Sequence, residues 1–332
     1  MGVCVSWSRK QSARFEWHIS AVGVGPSCFS FARRKGDLME VTLLGTGDTT
    51  GTPTVACKCE TCRTARDPPE ALRRRLRDQG ATMTAAGGVE RTRFSVHVHN
   101  DRTDESLLVD FSPDFRHQFL REELPLPDAG IVTHVHFDHL DGLGNCYRLL
   151  DDLAVYAADE TDPETGESVA GTVASDYAYL DQVTVHPQTP LEPFDVCGFE
   201  VTLVPVVHPP LLCYGLAVED PETGAKLSVS GDTAYDIPRE SCEVLADPDL
   251  FLADAIVPAD LCEYHPLGGA HHDSEGVPRT FGTKHMTREG ALSLADDLNA
   301  RETRLVHAAH FYPAEEAFEE PLAVDGERYV LG

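Results

Sequence analysis

From Met39 onward the chain alternates short apolar runs with polar, turn-forming stretches, the pattern of buried strands joined by loops and helices. "MEVTLLGTGDTTGTP" opens this region as a strand running into a glycine-rich turn. Further strands are predicted at Ser106–Ser112, Ala129–His136, Phe199–His208, Ala225–Thr233, Asp249–Val257 and Thr303–His310, each bounded by turn residues. Several end on a histidine or an aspartate. Thr287–Ala300 ("TREGALSLADDLNA") reads as a helix with Thr287 as its N-cap, and "ADETDPETGESVAG" and "EDPETGAK" read as loops or hairpin turns. Residues 1–38 do not share the pattern. Both tryptophans, Trp7 and Trp17, fall there, and the apolar positions keep no period. We expect 1–38 to be a disordered or mis-assigned extension ahead of a natural start at Met39, and 39–332 to be one domain. The opening "MGVCVS" fits a myristoylation pattern at Gly2, but so short a pattern matches by chance, and no apolar targeting core with a small-residue cleavage site follows.

Composition narrows the class. A chain of 332 residues, 42% hydrophobic, can bury a sizeable core. No apolar run approaches the roughly 18–20 residues of a membrane span, so a soluble, cytoplasmic protein is expected. The net charge is −28, unevenly spread: 1–38 carry six Lys/Arg against two acids, and the rest carries 21 basic and 53 acidic residues. Lysine beyond residue 38 is confined to Lys58, Lys226 and Lys284. A dispersed acidic, lysine-poor surface suits high ionic strength, where self-repulsion is screened, and reads as salt adaptation (a halophilic character). It also argues against an extended nucleic-acid surface, which needs clustered cations. "EALRRRLR" (Glu70–Arg77), the one basic cluster of the body, reads as a solvated helix face.

The strongest chemical signal is "THVHFDHLDGL", Thr133–Leu143, with His134, His136, Asp138 and His139 in a His-x-His-x-Asp-His run directly after an apolar strand. Histidines two apart at a strand end face one side, and the following turn can bring Asp138 and His139 to a second ion. A merely histidine-rich surface loop would not need the aspartate. A second cluster, "ACKCETC", offers Cys57, Cys59 and Cys62. Three close thiols in a chain that looks intracellular favour a structural zinc over disulfides, but tetrahedral zinc wants a fourth ligand, and the next thirty residues supply none. His310, three residues beyond His307, can supply it if the chain bends between the two. The alternative is a redox-active or simply buried thiol group. Cys146, Cys197, Cys213, Cys242 and Cys262 are isolated and read as small core residues.

The His-x-His-x-Asp-His run resembles the signature of the metallo-β-lactamase superfamily, over about Met39 to Pro313. That resemblance implies an α/β fold, the αββα sandwich, with a dinuclear site at one edge. It implies that His134, His136 and His208 hold one divalent ion, that Asp138, His139 and His307 hold the other, and that Asp232 touches both. Zinc and manganese both accept such ligands. Two adjacent ions acidify a shared water, so metal-dependent hydrolysis is the expected reaction. Within the superfamily, "GTG", the C-x-C-x-x-C cluster and the late H-x-x-H resemble the PhnP-like phosphodiesterase branch, in which the three cysteines and the second histidine hold a structural zinc. "KHMT" resembles the His-x-Thr element of the phosphodiesterases, which implies that His285 is not a metal ligand but assists phosphate or leaving-group chemistry; Asp138 is the other expected catalytic residue.

The expected function is therefore a phosphodiesterase for a small or cyclic phosphate ester. Ribonuclease Z-like tRNA processing is the alternative, disfavoured by the acidic body and the lack of an obvious basic, glycine-rich arm, and a lactonase or thioesterase is a third reading, disfavoured by His285. Expected partners are a small phosphate-ester substrate, no membrane and no extended nucleic acid; the sequence allows a homodimer. The stretch Ala259–Lys284, with His265, His271, His272 and Asp273, reads either as a lid or substrate-reading loop or as a surface loop with incidental histidines. His97, His99 and His117 lack a supporting constellation, and Asp110 is placed to orient ligands from behind.

Overall fold

Side chains that alternate at every second position build two sheets that share one core. The computed structural model describes residues 38–332, so the expected extension lies outside the described residues but for its last position. The first sheet contains β1 (Met39–Gly45), β2 (Ser95–Asn100), β3 (Glu105–Val109), β4 (Ala129–Val132), β5 (Leu153–Ala158), β6 (Val183–Gln188) and β16 (Arg328–Leu331), in the order β16-β1-β2-β3-β4-β5-β6. It is antiparallel from β16 to β3 and parallel from β3 to β6. The second contains β7 (Phe194–Val196), β8 (Phe199–Val206), β9 (Cys213–Glu219), β10 (Lys226–Val229), β11 (Leu250–Asp254) and β15 (Thr303–Val306), ordered β15-β11-β10-β9-β8-β7. A third, small sheet joins β12 (Gly269–His272), β13 (Pro278–Phe281) and β14 (His285–Met286).

β11 shows how the layers are built. Leu250 and Leu252 join Val41, Val96, Leu107, Val201 and Leu216 in the core between the sheets, while Phe251 and Ala253 point into a second apolar cluster on the outer face. Ala65 of α1 (Glu60–Arg66) and Leu76 of α2 (Glu70–Asp78) belong to that outer cluster. Phe115 and Phe119 of α3 (Phe115–Glu122) pack on the first sheet's core. The short α4 (Phe137–Leu140) follows β4, and Val169 and Val173 of α5 (Val169–Asp176) also join the first core. Leu245 of α6 (Arg239–Leu245) and Ala291 and Leu294 of α7 (Arg288–Asp297) complete the outer layer of the second sheet. This is the helix–sheet–sheet–helix sandwich expected from the sequence. Each buried leucine or phenylalanine contributes about 1.5–3 kcal/mol relative to exposure.

Thr287 caps α7, its hydroxyl accepting from the Gly290 amide at 3.0 Å. Six predicted strands end early: β3 stops at Val109, β4 at Val132, β8 at Val206, β10 at Val229, β11 at Asp254 and β15 at Val306. The residues beyond leave the sheets because their side chains turn into the site described below. "EALRRRLR" forms most of α2, with Leu76 inward. Cys146, Cys213 and Cys262 are buried, and Cys197 and Cys242 are half-buried and pack against the two apolar clusters. Among the described residues no helix is long and apolar enough to cross a membrane.

Candidate metal centre

The polar side chains of the site come from segments that leave strands at one edge of the sandwich. His134 and His136 follow β4, Asp138 and His139 lie in α4, and His208 and Asp232 follow β8 and β10. Asp254 ends β11, His285 begins β14 and His307 follows β15.

His134 Nε2 and His208 Nε2 come within 2.9 and 3.2 Å of His136 Nδ1. Three imidazole nitrogens converge on one point, and the ligand atoms of His134, His136, His208 and Asp232 all lie within 4.8 Å of one another. The far nitrogens fix the tautomers: His208 Nδ1–H donates to the carbonyl of Lys284 at 3.0 Å, and His134 Nδ1 is 3.1 Å from the Thr133 hydroxyl. Asp138, His139 and His307 form an adjoining group with the same spread. Asp232 Oδ2 is 3.3 Å from Nε2 of both His139 and His307 and 3.8 Å from His134 Nε2, and so faces both groups. The Thr49 hydroxyl, in the loop after β1, donates to Asp138 Oδ2 at 2.7 Å. Asp110, buried and left-handed at φ 60°, accepts from His139 Nδ1 at 2.6 Å and from the Thr133 amide and hydroxyl at 2.8 Å each.

This arrangement fits two cations. Nε2 of His139 and both ring nitrogens of His307 are buried without a hydrogen-bond partner, a costly state for polar atoms that face carboxylates. Burial pushes His134 well below the ordinary histidine value and His208 down to about 4, the neutral form that binds metals. His139 and His307 go the other way. Burial opposes their charge, but Asp232 and Asp110 lift His139 to about 10, and Asp232, Asp138 and Asp254 lift His307 well above its ordinary value. The same rings hold Asp138 and Asp232 below the usual carboxylate range despite burial.

His285 stands beside these groups and, with Asp232 and His307, makes a further cluster whose ligand atoms lie within 4.8 Å of one another. Its Nδ1–H donates to Asp254 Oδ2 at 2.9 Å, and its ring lies 4.9 Å from His208 and 5.0 Å from His307. Asp254 also accepts from the Thr233 amide at 3.0 Å. Burial opposes its charge, but His285 and His307 outweigh burial and hold its carboxyl low. Sequence reasoning did not single out Asp254, Thr49 or Lys284. Asp254 ends its strand as the other site acids follow theirs, but the sequence reading ran that strand on to Val257 and so hid it. Val135, flanked in sequence by two of the histidines, lines a shallow cleft together with Thr165, Ser168, Val169, Leu211 and Leu212.

Cys57, Cys59, Cys62 and His310 meet as a second candidate centre, their ligand atoms within 4.8 Å of one another. His310 Nδ1 lies 3.6 and 3.4 Å from the Cys57 and Cys59 sulfurs. The bend between the two histidines is at His307 itself, in the left-handed region at φ 56°. The stretch Ala259–Lys284 forms a one-turn helix (Ala259–Tyr264) and β12–β13, against which β14 presents His285. His265 packs on Phe281, and His271 hydrogen-bonds Thr280 at 2.8 Å. Among the described residues, His265, His271, His272 and Asp273 join no metal-type group, nor do His97, His99 and His117.

Residues 105–308 match the family model described as Beta-lactamase superfamily domain. A solved diphosphatase of the PhnP family superposes with a TM-score of 0.64 at 25% identity, covering 88% of this chain and 97% of that one. Zn²⁺-bound PqqB from Methylobacterium extorquens gives 0.63 at 21% identity, covering 87% and 99%. Among curated proteins, an octanoyltransferase of Porphyromonas gingivalis is 27% identical over 288 residues, 83% of this chain; the chain spans about half, 47%, of that relative's length.

Proposed function

This chain belongs to the β-lactamase superfamily, and from that premise we propose that it is a metal-dependent phosphodiesterase acting on a small or cyclic phosphate ester. His134, His136 and His208 would hold one ion, Asp138, His139 and His307 the other, with Asp232 between them; Cys57, Cys59, Cys62 and His310 would hold a structural zinc. Two bound divalent ions, zinc or manganese, supply an acidified water and a clamp for phosphoryl oxygens.

The observation that carries the reading is the His285–Asp254 pair. His285 belongs to no histidine triad of the two groups, yet its ring is stacked against His307 and lies beside His208. Asp254 accepts the Nδ1–H hydrogen bond and favours the protonated ring, whose Nε2–H can be handed to a departing alkoxide, leaving a neutral imidazole; that is the costly step in cleaving an ester of a poor leaving group. Asp254 is thus a positioning residue and His285 the proton donor. Asp110, Thr49 and the Lys284 carbonyl hold His139, Asp138 and His208 in place. The cleft beside Val135, walled by Val169, Leu211 and Leu212, offers apolar contact for the alcohol portion of a small ester. The likeness to the PhnP-family diphosphatase supports phosphate chemistry. The octanoyltransferase name belongs to a protein about twice as long, so acyl chemistry is the outcome to test against.

The test is hydrolysis of bis(p-nitrophenyl) phosphate by the zinc- or manganese-loaded protein at high salt, with His134→Ala and His285→Gln beside it. We expect turnover that requires metal and vanishes in His134→Ala. His285→Gln should retain its metal and lose about 10²–10⁴-fold with poorer leaving groups, less with p-nitrophenolate. A metal-loaded protein that cleaves acyl esters but no phosphodiester would overturn the reading.

A further inference from the structure

The centre built by Cys57, Cys59, Cys62 and His310 lies near the surface. Cys57, Cys59 and His310 are half-buried and only Cys62 is buried, while Val55, Ala56 and Lys58 around them are exposed. Cysteines elsewhere are set differently. Burial pushes the Cys146 thiol up to about 12, and burial, then Glu105 and Asp128, do the same to Cys197, so both stay protonated and inert. At the centre, Lys58 separates Cys57 from Cys59, and the Arg66 guanidinium donates to the carbonyls of Cys57, Cys62 and Thr54 at 2.8, 3.2 and 3.0 Å. Fixed cations beside accessible sulfurs favour the thiolate, the form that oxidants attack.

Short contacts join this centre to the two-ion site. The Cys62 sulfur accepts from the Thr54 amide at 3.3 Å, and the Thr54 hydroxyl donates to the Gly51 carbonyl at 2.6 Å. Gly51 belongs to a turn closed by Asp48, whose Oδ1 accepts from the Thr50 and Gly51 amides at 3.1 and 3.0 Å. That turn carries Thr49, whose hydroxyl donates to Asp138 Oδ2. The other route, from His310 back to His307, is insulated, because the Ala308 and Ala309 amides are tied to Thr46 and Ile256. A change at Cys62 therefore reaches Asp138 through Thr49.

We propose that the thiol centre is a redox-sensitive control on the second ion: oxidation of Cys59 and Cys62 to a disulfide releases the structural zinc, loosens the 48–51 turn and weakens the ion held by Asp138, His139 and His307. The chemistry balances with a peroxide as oxidant. One thiolate attacks a peroxide oxygen and becomes a sulfenic acid as hydroxide leaves. Its C-x-x-C neighbour then displaces a second hydroxide from that sulfur, and two solvent protons turn both hydroxides into water. The disulfide leaves Cys57 and His310, two donors where tetrahedral zinc needs four. The uncharged Cys62 sulfur is also a weaker acceptor for the Thr54 amide.

The inference rests on the metal assignments of the preceding reading and not on its substrate, so binding alone tests it. The zinc-loaded full chain, as wild type and as Thr49→Val, is treated with hydrogen peroxide and then with catalase. A chromophoric chelator counts the zinc released and, in competition, reads the dissociation constants of the remaining ions; peptide mass spectrometry locates the disulfide. In wild type we expect one zinc released per chain, a Cys59–Cys62 bridge and a second ion about 10-fold weaker, all reversed by dithiothreitol and added zinc. Thr49→Val should release the same zinc, while its second ion, already weaker before treatment, changes no further. Retained zinc, a bridge elsewhere, or a second ion that stays unchanged in wild type or weakens equally in Thr49→Val would each overturn the proposal. A reduced chain that binds no zinc at the cysteines overturns the four-ligand centre itself, and this proposal with it.

Discussion

Asp110→Asn exchanges one carboxylate oxygen for an amide nitrogen and leaves the shape of a buried turn intact, since asparagine tolerates the left-handed backbone at φ 60°. Of the three hydrogen bonds to the Asp110 carboxylate, the one from the Thr133 amide to Oδ1 survives. The amide NH₂ replaces Oδ2, which accepts from the Thr133 hydroxyl and from His139 Nδ1–H at 2.6 Å. The hydroxyl can rotate to accept; the imidazole cannot, and two donors would face each other. His139 must therefore shift its proton to Nε2, the nitrogen that lies 3.3 Å from Asp232 and 3.7 Å from Asp138. A metal ion would then have to displace that proton and would lose the orienting bond as well. One charge-assisted hydrogen bond is worth about 1.5–3 kcal/mol, which weakens the ion held by Asp138, His139 and His307 about 10- to 100-fold. Competition with a chromophoric chelator reads both dissociation constants, and the ion held by His134, His136 and His208 should change far less. Two unchanged constants would refute the claim that Asp110 sets the His139 tautomer.

Two further outcomes follow from the geometry. Cys59→Ala should lose one zinc per chain and part of its thermal stability while the two-ion ligand set stays in place; full zinc retention by elemental analysis would sink the four-ligand centre. His97 is 2% exposed and burial, then His99 and Arg328, push it down to about 4. A histidine depressed in the folded state gives stability that is complete above its unfolded value near 6.5 and is lost as pH falls towards 4, about 3 kcal/mol in all. The unfolding free energies of wild type and His97→Leu should therefore diverge in that window in urea titrations, and parallel curves between pH 7 and 4.5 would count against it.

The ligand-bearing positions were legible because their chemistry is concentrated and their context simple. The histidines and aspartates of Thr133–Leu143 sit at a strand end, and His208, Asp232 and His307 repeat that placement. What escaped was whatever depends on a partner distant in sequence. Thr49 is one threonine among several until the fold sets it on Asp138. Asp110 was recognisable as a supporting residue, but its three bonds require Thr133 and His139 to come to it. Asp254 was hidden inside an apolar run whose end was read three residues late. Strand ends were overextended at Val132, Val206 and Val306 because the apolar and histidine residues beyond them look like strand but serve the site. The small sheet of β12–β14 was invisible to periodicity, its strands being four residues or fewer.

Ala308 and Ala309, between His307 and His310, are both buried, and each is fastened to a different neighbour: the Ala308 amide to the Thr46 carbonyl at 3.1 Å and the Ala309 amide to the Ile256 carbonyl at 3.0 Å. One of these neighbours follows β1 of the first sheet and the other follows β11 of the second, so this dipeptide is a clasp across the open edge of the sandwich as well as the spacer between two centres. Its length is therefore under three separate demands. An inserted or deleted residue there would rotate His310 away from the cysteines, withdraw His307 and unpick the edge together. Natural length variation in this protein's descendants should be barred from these two positions, whereas the turn at 221–224, solvent-exposed throughout, leaves room for it.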